Sequence, residues 1–160
     1  MKRIAYIFAA IMLLASCNGK NPDSGKLTLE QQLYGEWHST KLSIAGDIYL
    51  DFNEDKTFEL YQQIGQGSYR LYRGTWGLQE NLLTGKYNDG ESWATAYEIT
   101  ISDKSLTMVS KNDAAEQSLY SKKDIPAEVK DKCVIVVKSE EAQDEPVLKT
   151  SFRILNSQPQ

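Results

Sequence analysis

Few residues in this chain have the type and spacing to do chemistry. The sharpest pattern is Asp51-Phe52-Asn53-Glu54-Asp55, with oxygens at i, i+2 and i+4 as in a calcium-binding loop. Such a loop also needs glycine at its sixth position and glutamate at its twelfth, where this chain has Lys56 and Gln62. The stretch therefore reads as a polar hairpin turn. His38 is the only histidine. It follows Trp37, so an inward tryptophan would turn His38 outward, to a structural role. No G-x-S-x-G elbow, phosphate-binding loop or Cys/His cluster occurs. Gly65-Gln66-Gly67 precedes nothing that reads as a helix, so it too is a hairpin turn. The expectation is a protein that is not an enzyme and uses no cofactor and no metal.

The residue with the clearest chemistry is Cys17. Lys2 and Arg3 open the chain, Ile4 to Ala15 is uncharged and apolar, and Leu14-Ala15-Ser16-Cys17 closes the run. Twelve such residues fall well short of the ~20 that span a bilayer, so residues 1–16 read as a secretory signal. The LASC motif resembles the bacterial lipobox, which implies a diacylglyceryl group on the Cys17 thiol and cleavage just before it. With Cys17 spent, Cys133 is left unpaired, so no disulfide framework is expected. Its setting in KDKCVIVV predicts a buried small hydrophobe. Residues 17–27 then form the lipidated cysteine and a tether, whose polar part NGKNPDSGK has a reach of about 15–18 Å. The location that follows is the cell envelope, lipid-anchored at the outer membrane as in outer-membrane lipoproteins of Bacteroidota, with periplasmic and surface display both open.

The remaining chain must fold to position anything else. At 160 residues it is long enough for one domain with a real core. An acidic balance of 22 Asp plus Glu against 18 Lys plus Arg excludes nucleic acid as the default partner. Thr28 with Gln31 fits a capping box, and Leu29 with Leu33 shares a helical face, so a short helical turn opens the domain. From His38 to Ser121 turn signals (NEDK, GQG, QEN, NDG, SDK, KNDA) separate about eight strand-like runs, among them TFELYQQI and WATAYEITI. Short connectors favour antiparallel neighbours, and a long meander closes readily into a barrel. The predicted class is all-β: an up-and-down barrel over residues 28–155, with a C-terminal extension and a disordered tail at 156–160.

Alternation assigns the faces. Ile48, Leu50 and Phe52 share one; Phe58, Leu60, Gln62 and Ile64 share the next; Tyr72, Gly74, Trp76 and Leu78 follow; Trp93, Thr95, Tyr97, Ile99 and Ile101 complete the series. Gly35-Glu36-Trp37 at the start of the first strand resembles the G-x-W signature of lipocalins. The run DKTFELYQQIGQGSYRLYRGTWGLQENLL resembles the lipocalin-like domains of Bacteroidota lipoproteins, over roughly Leu33 to Tyr120. The resemblance implies an eight-stranded barrel with Gly35 and Trp37 as structural residues closing one end.

Towards the C terminus, Ile125-Pro126-Ala127-Glu128-Val129 reads as a helix start, with Ile125, Val129, Cys133 and Val136 on one face. CVIVV reads equally as a strand. SEEAQDEP is an acidic connector, and Leu148, Thr150, Phe152 and Ile154 alternate as a final strand.

Two non-catalytic functions fit. One is a carrier of a small apolar or amphipathic ligand in the barrel, lined where the inner face turns polar or small: Gln62, Tyr72, Gly74, Thr95 and Tyr97. The other is an envelope interaction or inhibitor module with a filled barrel, binding a protein partner through outward tyrosines such as Tyr49 and Tyr61.

Overall fold

Thr28 begins the folded chain. Its Oγ1 accepts from the Gln31 amide at 3.1 Å, and the Gln31 side chain accepts from the Thr28 amide at 2.9 Å, the reciprocal box expected from the sequence. This starts α1 (Leu29–Leu33). The computed structural model describes residues 26–42 and 46–136. Cys17, the signal and tether before Lys26, the acidic connector, the strand predicted at 148–154 and the tail lie outside them.

Eight strands follow: β1 (Gly35–Lys41), β2 (Asp47–Phe52), β3 (Thr57–Gln63), β4 (Arg70–Gln79), β5 (Leu82–Tyr87), β6 (Tyr97–Ser102), β7 (Ser105–Ser110) and β8 (Gln117–Lys122). Each pairs antiparallel with the next, and β8 returns to β1 through Trp37↔Lys122 and His38↔Ser121. The result is the closed barrel that the short connectors predict. The NEDK segment is a hairpin turn: Asp55 Oδ1 accepts from the Thr57 amide at 2.9 Å and its hydroxyl at 2.6 Å, and Lys56 takes a left-handed φ of 69°.

Register places the predicted inner faces inside. Phe52↔Phe58, Leu50↔Leu60 and Leu60↔Tyr72 stack neighbouring strands in phase. Rings cross the interior in an unbroken series: Tyr72 to Tyr87 at 6.1 Å, Tyr87 to Phe58 at 5.8 Å, Phe58 to Trp93 at 5.2 Å and Trp93 to Tyr97 at 6.0 Å. Gly74 faces inward among them, but it offers no space. A Cβ there would lie 2.1 Å from the Lys86 carbonyl oxygen and 2.7 Å from Phe58 Cε1.

Two sequence expectations shift. Ile64 lies beyond β3 and is 41% exposed, because the chain leaves the sheet at Gln63, just before the GQG turn. The strand expected from Trp93 begins at Tyr97. Lys86 bridges Ser92 and Leu83 pairs Tyr97, so Thr84 and Gly85 face the four residues Trp93 to Ala96. The surplus is a bulge that folds the Trp93 ring over Gly85, where a Cβ would meet it at 2.1 Å.

The C-terminal extension uses both readings of its sequence. α2 (Ala127–Lys132) is followed by β9 (Val134–Ile135), which pairs parallel with Arg70 and Leu71 of β4. Ile125, Val129 and Cys133 pack over Tyr49, Tyr61, Tyr69 and Leu71 on the outer wall.

Candidate functional site

Strand direction gives the barrel two unlike ends. At the end where β1 begins, α1 lies across the opening. Leu33 and Trp37 are fully buried, and Trp37 Nε1 donates to the Leu33 carbonyl at 2.8 Å. Lys122 Nζ donates to the carbonyls of Gln32 (3.1 Å) and Tyr34 (2.6 Å) and lies 4.8 Å from the Trp37 ring. Partial burial pushes the Lys122 ammonium below its ordinary range. Gly35, at φ 96°, turns the chain from α1 into β1, a conformation that disfavours side chains. A second lysine, Lys56, sits 4.2 Å from the Trp76 ring and 2.6 Å from Glu30 Oε1. This end is sealed.

The opposite half is the polar half. Gln62 stands near the end of β3, Tyr72 near the start of β4, and Tyr97 at the start of β6, all buried and inward. Gln62 and Tyr72 are diagonal neighbours, since Leu60 pairs Tyr72 and Gln62 pairs Arg70. Thr95 is buried too, but its hydroxyl donates to the Ala96 carbonyl at 3.0 Å and accepts from Ser110 Oγ at 3.3 Å. Ser110 Oγ also accepts from the amides of Asn112 and Asp113, so this pair mainly holds the β7–β8 turn. Of the five predicted lining positions, Gln62, Tyr72 and Tyr97 present polar groups inside the wall, Thr95 braces the turn, and Gly74 is filled by its neighbours.

Sequence reasoning missed Ser118 and Tyr120. They alternate on β8, and both face inward. Tyr120 is 1% exposed, and its hydroxyl has no hydrogen-bond partner among the described residues. Burial pushes its phenol well above the usual range, with the neighbouring Ser118 hydroxyl acting weakly the other way. AEQSLYS was legible as a strand, but only its partners Leu106 and Met108 reveal which face is inside.

Outside the barrel, Tyr49 and Tyr61 do sit opposite one another. They are only 5% and 3% exposed, because the segment from Ile125 to Cys133 covers them. The outward tyrosines thus serve an internal contact.

Residues 30–108 match the lipocalin-like domain family. No match was found among curated proteins. Among solved structures, the NMR structure of a protein from Bacteroides uniformis ATCC 8492 is 24% identical at a TM-score of 0.45, covering 59% of this chain and 93% of that one. The matched segment runs from α1 into β7, and over that span this chain is similar to the lipocalin-like domain family, while β8 closes the eight-stranded barrel beyond it.

Proposed function

We propose that this protein is a non-catalytic binding protein of the cell envelope, anchored through Cys17 at the outer membrane, which takes a small amphipathic ligand inside its barrel. The lipocalin-like barrel is a ligand-binding type of domain. The observation that carries the reading is the Tyr120 hydroxyl, buried inside an apolar wall with only the Ser118 hydroxyl beside it. A buried hydroxyl short of partners costs up to about 1–3 kcal/mol, a cost that a ligand oxygen removes. Gln62, Tyr72 and Tyr97 add polar atoms to the same wall, while Leu60, Ile99 and Met108 supply its apolar part. The covered state of Tyr49 and Tyr61 takes away the support for the surface-interaction alternative.

The test compares wild type with Tyr120→Phe, which removes one oxygen and no volume. Decanoic acid, 1-decanol and the dye 1-anilinonaphthalene-8-sulfonate serve as probes of tryptophan fluorescence. At least one probe should quench saturably at micromolar concentration, and Tyr120→Phe should weaken it about tenfold, the value of one buried hydrogen bond. Without ligand the variant should melt higher than wild type. If no probe binds, or both proteins bind equally, the carrier reading fails.

A further inference from the structure

The bulge at Trp93–Ala96 leaves a mark on the outer wall. Thr75↔Lys86 and Gly77↔Thr84 are cross-strand pairs of β4 and β5, and Lys86 bridges on to Ser92, so these groups share the outer face. Between them lies a crevice of about 420 Å³, within the range of small-molecule sites. Gly77 leaves its backbone open along it, and Trp76, Gly85, Trp93, Thr95 and Ala96 complete its lining. Trp93 also packs against Phe58 and Tyr97 inside, so its ring stands between the crevice and the barrel interior.

The chemistry of this lining is specific. Thr75 and Ser92 bring hydroxyls that can donate and accept, and Thr84, whose hydroxyl donates to the Gly77 carbonyl at 3.4 Å, brings an acceptor, which suits a ligand rich in hydroxyls. Lys86 brings a cation, and no carboxylate lines the crevice; Asp89 and Glu91 lie in the adjoining turn without contributing to it. Lys86 makes no ion pair among the described residues. Bare glycine backbone permits close approach of a ring, and indole behind it supplies apolar surface. We infer that this outer crevice is a second binding site, separate from the barrel interior, for a small polyhydroxylated carboxylate, with Lys86 holding the carboxylate and Thr75, Thr84 and Ser92 holding hydroxyls.

The experiment is an amide NMR titration of the ¹⁵N-labelled full chain in detergent micelles with galacturonate, galactose and acetate. Galacturonate should shift the Thr84, Gly85 and Ser92 amides saturably, and galactose and acetate should each bind at least about tenfold more weakly, since each lacks half the recognised groups. Lys86→Gln should reduce galacturonate to the level of galactose. Gly77→Val should abolish binding by filling the crevice; a Cβ there meets nothing nearer than Thr84 Oγ1 at 3.5 Å, so the strand tolerates it. Absence of saturable shifts at these amides, or unchanged binding in both variants, would overturn the site. Galactose binding as tightly as galacturonate overturns the role of Lys86, and acetate binding as tightly overturns the role of the hydroxyls.

Discussion

Asp47 shows what single residues do in this protein and what a sequence leaves unsaid about them. Its carboxylate receives Tyr69 OH on Oδ2 at 2.5 Å, and His38 Nε2 at 2.7 Å and Ser39 Oγ at 3.2 Å on Oδ1. The His38 ring stacks on Tyr49 at 4.2 Å. Burial pushes the Asp47 carboxyl up, but the hydrogen bonds from Tyr69, His38 and Ser39 outweigh it and hold the group below its ordinary range. A carboxyl so held contributes stability that is complete above the ordinary carboxylate range and is lost as pH falls through the depressed value. The wild-type melting temperature should therefore drop on acidification below about pH 4. Asp47→Asn should melt lower at neutral pH and show a shallower acid limb; parallel acid limbs would show that the cluster contributes nothing. Alternation turned His38 outward correctly. The meeting of Asp47 with Tyr69, 22 positions beyond it, has no signature in spacing.

At the scale of elements, legibility follows regularity. Every strand with strict alternation and a turn at each end could be read, because each such strand has one wet and one dry face. Trp93 to Ala96 misled because Trp93, Thr95 and Tyr97 alternate as a strand would, while the real constraint is the empty space over Gly85. Gly74 misled in the opposite sense, since a missing side chain implies room only when neighbours do not fill it. Of the helical face expected at Ile125, Val129, Cys133 and Val136, the first three do pack together, but only Val129 is in α2 and Val136 joins the main core instead; the tyrosines they cover were not readable. Glu36 fastens this segment to β1, accepting from Lys130 Nζ at 2.6 Å and from the Ile125 amide. Replacing Val129 by aspartate places an unpaired charge in that contact and removes its apolar area. Val129→Asp should cost about 2–4 kcal/mol and open Tyr49 and Tyr61 to nitration by tetranitromethane. Wild-type nitration in the variant would mean that the segment does not protect the tyrosines.

The whole molecule has a direction. α1 seals the end at which the described chain enters, and Gln62 and Tyr72 lie in the opposite half. A lipid on Cys17 would hold the sealed end of the barrel nearest the bilayer. The anchor itself is the part to test. Acyl chains contribute about 0.8 kcal/mol for each buried methylene, so two or three of them hold a protein on a membrane where one is marginal. Cys17 stands nine positions before Lys26, where the described residues begin, and its loss should leave the barrel's own contacts unchanged. Cys17→Ala should accumulate as unprocessed or soluble protein, with far-UV circular dichroism and melting temperature as in wild type. It should also retain any probe binding that wild type shows, because the ligand groups sit inside the barrel. Recovery in the membrane fraction equal to wild type would remove the lipid from the account and with it the direction of the molecule.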